Sequence, residues 1–394
     1  MLDFKVRNRI EWFCKNKIND FSPTISPAPK SKSKNEIESI DEAIHYYLEK
    51  GVSEFVVQKK YMGSYCTIYL KRNLDETYFI SRNGFKMDHI DVEKAINSLK
   101  ELYAKMLITF PDFETLIIAS ELLPWKVLGA GLIEKEFTGY HDALKTHNEY
   151  LQASGLLEKL ESVKSSELFT TYISDKKSLS RKEFSSKHKP HIIRQYEALR
   201  TVKIPDIAKQ EESLKVFKKQ INTFGNEAEI HFKPFTILKI VNTSGEEVLP
   251  NSNLTYELVN DDAFLNVEIT AQNKEEKLKG IYSFFEKLTE ANEEGIMIKP
   301  KENYIKNLPP CFKVRNNNYL TMIYGVNFHQ DFDHYLEKRN VKKKVEQSIN
   351  GWEINQKMLQ IPYKDLEEEN YLMRLLLLKR INNEEIEKTL DPRL

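Results

Sequence analysis

The strand-like pattern of this chain stops at about residue 123 and resumes at about residue 231, with a long helical stretch between. Before the break, EFVVQ, CTIYLK, TYFIS and TLIIASELL are rich in β-branched and aromatic residues and are separated by turn signals such as Arg72-Asn73 and Arg82-Asn83-Gly84. After it, IHFKPFTILKIV, NVEIT, EGIMIKP and CFKVR take up the same pattern. A sheet domain supplied from both sides of an interruption requires the chain to leave, fold a helical module and return. This predicts an α+β protein: an antiparallel β-sheet core at 37–325, a helical insertion at about 125–222, and a helical C-terminal module at 326–394.

The other segments are assigned by punctuation. Residues 1–36 read as an appendage and linker, because FSPTISPAPKSKSKNE places three prolines and alternating Ser and Lys after a short amphipathic run. IESIDEAIHYYLEK is helical and stops at Gly51, and a further helix is expected near 91–107. The length of 394 residues exceeds the roughly 250–300 at which single cores stop growing, in keeping with more than one unit.

Charge and cysteine content narrow the function classes. Lys plus Arg and Asp plus Glu each number 59, so a polyanion partner would have to be met by a local basic surface. Cys14, Cys66 and Cys311 form no CxxC pair and suit neither a disulfide framework nor a zinc ribbon. No apolar run approaches the roughly 18 residues of a spanning helix, and the start lacks a signal-peptide core. The expectation is a cytoplasmic protein with no membrane association. Neither a GxxxxGK[ST] loop nor a GxGxxG fingerprint is present, so nucleotide binding would need another architecture.

One run suggests chemistry. In Gln58-Lys59-Lys60-Tyr61-Met62-Gly63-Ser64, Lys60 stands three residues before a glycine at the end of an apolar strand. Alone this is a surface lysine beside a turn. It gains meaning from Ser81-Arg82-Asn83-Gly84, from Ser120-Glu121-Leu122-Leu123-Pro124-Trp125, from Glu294-Gly295-Ile296-Met297-Ile298-Lys299-Pro300 and from Cys311-Phe312-Lys313-Val314-Arg315, in that order.

The series resembles the covalent nucleotidyltransferase superfamily of RNA ligases, DNA ligases and capping enzymes, whose collinear motifs are KxxG, an Arg segment, a Glu-ended strand, EGxxxK and KxK or KxR. The closer resemblance is to the C-terminal ligase domain of bacterial polynucleotide kinase-phosphatase. It extends to Pro23-Thr24-Ile25-Ser26-Pro27, Lys233-Pro234-Phe235, Tyr319-Leu320-Thr321-Met322-Ile323-Tyr324-Gly325 and the terminal DPRL, from about residue 20 to the end.

The resemblance implies an ATP-dependent RNA ligase of RNA repair. Lys60 would be the nucleophile that takes AMP from ATP; Glu121 would hold the ribose hydroxyls and Arg82 the ribose or phosphate. Phe235 would lie near the adenine, Glu294 would contact Mg²⁺ or Mn²⁺, and Lys299, Lys313 and Arg315 would hold the triphosphate. Such an amine must lose the proton it carries at its reference pKa of about 10.4, and neighbouring cations favour that. Implied partners are RNA with 5′-phosphate and 3′-hydroxyl ends, a companion RNA 3′-terminal ribose methyltransferase, kinase and phosphatase modules of a parent polypeptide, and a second copy in a homodimer.

Three positions depart from the wider superfamily. Met62 replaces an Asp before the glycine, Tyr65 an Arg two residues after it, and Ala119 an Asp two residues before the Glu. With Lys59 beside the nucleophile, Tyr65 leaves the phosphate end of the site open. In a regular strand Glu294 and Lys299 would also point to opposite faces.

Alternative readings are RNA guanylyltransferase (capping) activity with GTP, and a nonenzymatic RNA-binding scaffold. From Asp175 to Lys203 nine Lys or Arg face three acids, which reads as an RNA track with Phe184 and Tyr196 stacking on bases, or as a solvated helical face. His188 and His191 are expected to be surface or RNA-facing groups, and Gly129-Ala130-Gly131 a loop. EENYLMRLLLLKR is expected to pack in a core.

Overall fold

The computed structural model describes residues 3–127, 133–224, 229–367 and 369–384; Gly129-Ala130-Gly131 and the terminal DPRL lie outside them. Two compact units are present, Met1–Ile133 with Gln220–Leu394, and Glu134–Lys219.

The first unit contains two five-stranded sheets. One is ordered β1-β10-β9-β2-β8, from Ser26–Pro27 (β1), Glu54–Lys60 (β2), Phe264–Glu268 (β8), Gly295–Pro300 (β9) and Phe312–Arg315 (β10). The other is ordered β4-β3-β5-β6-β7, from Ser64–Lys71 (β3), Tyr78–Ser81 (β4), Phe113–Leu123 (β5), His231–Asn242 (β6) and Glu247–Val248 (β7). β6 pairs with β5 along nearly its whole length, so strands from either side of the helical stretch share one sheet. Pairing is antiparallel except for β1 with β10, which is parallel.

Period-two alternation sorts the side chains of each strand. In the first sheet Phe55, Val57, Ile296, Ile298, Phe312 and Val314 share a buried cluster with Ile40, Ile44 and Tyr47 of helix Ile40–Leu48 and Ile281 of helix Lys274–Glu290. In the second, Cys66, Ile68, Leu70, Leu116, Ile118 and Ile237 pack on Ala95 and Met106 from helices Val92–Ser98 and Lys100–Thr109. Burying such side chains contributes about 1.5–3 kcal/mol each, which makes a slip of register by one residue prohibitive.

The opposite face of the second sheet is covered differently. Tyr69, Ile80, Ile117, Ala119 and Leu238 meet Ile10, Phe13, Ile18 and Phe21 from the N-terminal segment, and Trp352, Met358, Leu359, Met373, Leu376 and Leu377 from helices Lys342–Gln360 and Tyr371–Asn382. Lys239 of β6, 1% exposed, donates to the carbonyls of Leu359 (2.6 Å) and Ile361 (2.8 Å) and pairs with Glu247 (2.6 Å). It thereby satisfies acceptors at the end of helix Lys342–Gln360.

Two expectations need correction. Residues 1–36 are no appendage: helix Phe4–Lys15 buries Phe13 and Cys14, and Ser26–Pro27 pairs with β10 in the linker expected to lack regular structure. Proline tolerates this place because β1 is an edge strand. Nor do residues 326–394 stand apart, since helices Lys342–Gln360 and Tyr371–Asn382 complete the core just described. Both ends share one cluster on the second sheet.

In the second unit, helices Gly139–Ala153, Leu156–Ser165, Glu167–Ser178, Arg181–Lys187 and Pro190–Thr201 follow one another. Ser180 and Glu183 form a reciprocal capping box at one start. The rings of Phe184 and Tyr196 pack on buried Tyr172, with centroids 5.3 and 5.1 Å away, and His188 Nε2 lies 2.8 Å from Asp175 Oδ2. Phe184 and Tyr196, half-buried, thus pack against the buried rings of this unit.

Candidate functional site

A cavity of about 640 Å³ opens in the first unit and is lined from both sheets. Within the roughly 300–1,000 Å³ typical of small-molecule sites, it has room for a nucleotide. β2 ends at its wall with Lys60; β9 and β10 send in Lys299 and Lys313 from the pocket faces of their alternation; β5 contributes Glu121 and β6 Phe235. Arg82 enters from the turn after β4, and Ser22-Pro23-Thr24-Ile25 closes one side.

Two glycines make this convergence sterically feasible. A Cβ on Gly63 would stand 2.3 Å from the Leu122 carbonyl oxygen and 2.7 Å from Glu121 Cγ, so only glycine lets the loop after Lys60 lie against β5. Its N–H then donates to Glu121 Oε1 at 3.2 Å. Gly295 has φ 153°, and a Cβ there would stand 2.1 Å from the Val314 carbonyl oxygen.

Gly295 also resolves the conflict over Glu294 and Lys299. Glu294 lies before β9, outside its alternation. Its Oε2 accepts from Lys60 Nζ at 2.7 Å, whereas Lys299 follows Met297 on the pocket face and stands 4.5 Å from the Phe235 ring centroid. The neighbouring Lys59 pairs instead with Glu293, at 2.5 Å. Consecutive lysines thus meet consecutive glutamates.

Electrostatically the cavity is set for anions. Burial pulls Lys299 down to about 8. Lys313 is drawn well below its ordinary value, first by burial and then by the charges of Arg315 and Lys60. Burial lifts the Glu121 carboxyl to about 7, with Lys60 opposing and Glu294 reinforcing the rise. Among the described residues no carboxylate lies within ion-pair distance of Arg82, Lys299 or Lys313. An anion entering here replaces lost solvation for several cations at once.

Arg315 is placed otherwise than expected. Its guanidinium turns away from the cavity and grips Glu38 through Nη2 (2.6 Å) and Nε (3.2 Å), and Arg339 Nη2 reaches the same carboxylate at 3.1 Å. Burial opposes charge on Glu38, but Arg315 and Arg339 more than offset it and hold its pKa low. Direct triphosphate contact by Arg315 is therefore not part of this arrangement; it acts on the site through the positive potential at Lys313.

Several pocket residues carry no motif signal. Tyr65, where an arginine was expected, donates its hydroxyl to Asp20 Oδ2 at 3.2 Å beneath the cavity. Trp352, Arg380 and Glu384 reach the lining from the C-terminal helical segments. Arg380 had one readable trace, since it continues the buried stripe Met373, Leu376, Leu377 at helical spacing.

The chain matches the PNKP adenylyltransferase domain, ligase domain, over residues 15–364. It belongs to that family. A solved chain of a Pnkp1/Rnl/Hen1 complex is 46% identical, covering 99% of each chain, with a TM-score of 0.90. Another, from the Pnkp1/Rnl/Hen1 RNA repair complex, is also 46% identical, covers 100% of each chain and has a TM-score of 0.91. Among curated proteins no match is found. The fold is that of a ligase-type adenylyltransferase, and the enzyme is an ATP-using ligase of this family.

Among the described residues no group of three His, Cys, Asp or Glu side chains could hold a metal ion. No helix among them is long and apolar enough to cross a membrane.

Proposed function

We infer that this enzyme is an ATP-dependent RNA ligase that forms lysyl-AMP on Lys60 and passes AMP to an RNA 5′-phosphate. The observation that carries this reading is the convergence on one cavity of Lys60, held by Glu294, with Glu121 and the cations Arg82, Lys299 and Lys313. Its placement in an adenylyltransferase family supports AMP rather than GMP as the transferred group.

Lys60 Nζ forms a bond to the α-phosphorus as the bond to the pyrophosphate oxygen breaks, and the departing proton leaves the amine for a nearby acceptor or water. Glu294, 2.7 Å away, orients the amine toward the cavity. Lys299 and Lys313 hold the phosphates and neutralise charge accumulating on the leaving pyrophosphate, the electrostatic work that such chemistry chiefly needs. Lys299 must swing from its place over Phe235 to do so, leaving that ring free to contact the base. Glu121 accepts from the ribose hydroxyls; it does this best as a carboxylate, which its value of about 7 makes available near and above neutrality.

A cage made wholly of protein ligands does not fit this donor set, but Mg²⁺ or Mn²⁺ bound largely through phosphate oxygens does, with Glu294 as its carboxylate. When bound, such an ion withdraws charge from the phosphate oxygens. In the second step AMP leaves Lys60 for the RNA 5′-phosphate, and in the third an RNA 3′-hydroxyl attacks and releases AMP.

The close relatives sit in a Pnkp1/Rnl/Hen1 complex, which supports a Hen1-like methyltransferase and a Pnkp1-like protein as partners, with kinase and phosphatase functions supplied beside this chain. The test is RNA bearing a 5′-phosphate and a 3′-hydroxyl incubated with ATP or GTP, with and without those partners. Adenylylated or sealed RNA with ATP alone is the expected product. Activity only with GTP, or RNA binding without either product, would overturn the reading.

A further inference from the structure

We propose that Arg380, on the C-terminal helix Tyr371–Asn382, together with Arg82 forms the subsite that receives the 5′-phosphate of the RNA. This rests on the ligase reading and deepens it.

The placement is specific. Both guanidines line the cavity that holds Lys60, and they come from elements almost three hundred residues apart. Arg380 is 2% exposed. Its Nε donates to Asn355 Oδ1 at 3.0 Å, its Nη2 donates to the carbonyl of Ser22, and its guanidinium lies 4.6 Å from the Phe21 ring centroid. Glu384, one turn on, is occupied by both terminal nitrogens of Arg9, at 2.5 and 2.7 Å. Among the described residues no carboxylate lies within ion-pair distance of Arg380, whereas Arg9, Arg315 and Arg339 each have one.

A guanidinium this buried is costly to keep charged, and burial draws its pKa below the ordinary value although the charges of Glu384 and Asp20 oppose the fall. Asp20 is the nearest acid in sequence terms to the strap it binds, but that carboxyl is itself lifted by burial to about 6 and accepts from Thr67, Asn355 and Tyr65. The fold therefore holds at the cavity wall a buried guanidinium whose Nε and Nη2 are fixed by Asn355 and Ser22 and whose nearby acids, Glu384 and Asp20, are hydrogen-bonded to other groups. A phosphate monoester, with a net charge near −2, is the chemistry that such a held cation beside Arg82 fits.

The four cations reach the one cavity from different elements. Lys299 and Lys313 enter from the first sheet. Arg82 follows β4 of the second sheet, and Arg380 donates to Ser22 in the strap Ser22–Ile25 that lines the cavity.

The experiment measures binding of two short RNAs, alike except for a 5′-phosphate or a 5′-hydroxyl, to the full chain by fluorescence anisotropy, with lysyl-AMP formation followed in parallel. Wild type is expected to bind the phosphorylated RNA at least tenfold more tightly. Arg380→Gln retains hydrogen-bonding groups and should lose most of that preference while forming lysyl-AMP within about threefold of wild type; Arg380→Lys should regain part of the preference. A thermal unfolding midpoint for each variant identifies loss of fold, and Arg82→Gln, whose lysyl-AMP formation is expected to fall because Arg82 also stands in the nucleotide site, is read only by its RNA preference. No 5′-phosphate preference in wild type, or one unchanged in folded Arg380→Gln and Arg82→Gln, would overturn the proposal. So would an equal fall in lysyl-AMP formation and RNA preference, which would assign Arg380 to ATP instead. If wild type forms no lysyl-AMP at all, it is the ligase reading that fails.

Discussion

Lys60 Nζ and Glu294 Oε2 are 2.7 Å apart, joined across the register in which Lys60 stands opposite Gly295. The strand pair fixes where Lys60 meets its carboxylate, and Gly295, the first residue of β9, sets how that carboxylate turns. Replacing Glu294 with Gln keeps the shape but removes the charge that orients the amine. Lysyl-AMP formation should fall at least about a hundredfold, the scale at which loss of one electrostatic contact to a reacting centre is felt, with circular dichroism unchanged. A rate within a few fold of wild type would detach Glu294 from the chemistry.

Gly63→Ala should both destabilise the protein and disable it. The added methyl would meet the Leu122 carbonyl and Glu121 side chain, and forced overpacking costs about 1–3 kcal/mol. Urea denaturation should show the loss, and nucleotide labelling should fall further than stability alone explains because Lys60 and Glu121 shift together.

Glu121 makes the free protein less stable as pH rises. Its folded value is raised to about 7 from 4.5, so the folded state holds a proton that the unfolded chain has released between those values. Its favourable contribution is complete below about 4.5 and is lost as pH climbs through 7. Asp20, raised from 3.8 to about 6, acts in the same direction over a lower window. Glu121→Gln should therefore be more stable than wild type above neutrality, by about 1–3 kcal/mol, and should flatten the pH dependence of unfolding. It should nevertheless bind ATP poorly. A variant equally stable but with the wild-type pH slope would contradict this account.

Removing Glu38 separates two views of Arg315. Glu38 is buried and binds Arg315 and Arg339. Glu38→Ala leaves two arginines without their carboxylate, a loss of about 3–5 kcal/mol by chemical denaturation. If Arg315 instead served ATP directly, freeing it would leave stability nearly unchanged and tighten nucleotide binding.

The parts of this architecture that were legible in the sequence are those written in local periodicity. EGIMIK alternates so that Ile296 and Ile298 enter a core while Met297 and Lys299 face the cavity, and Lys60, Arg82, Glu121, Phe235 and Lys313 fall on strands or turns whose pattern is plain. What escaped was set by long-range contact. Two residues, Ser26–Pro27, carry no strand signal and are ordered only by β10. Arg315 has the spacing of a pocket residue, and nothing nearby in the sequence tells that Glu38 will claim it. Lys239 looks like a solvent-facing charge until helix Lys342–Gln360 closes over it, and Arg380, though on a buried stripe, finds its acceptors only in the N-terminal segment and Asn355.

The central claim is that Lys60 takes AMP. Incubating the protein with α-labelled ATP and a divalent cation, then mapping the labelled peptide by mass spectrometry alongside Lys60→Ala, tests it most directly. The account predicts one acid-labile AMP on Lys60 and none on the variant. Label on Lys59 or elsewhere, label surviving in Lys60→Ala, or incorporation of GMP instead would contradict it.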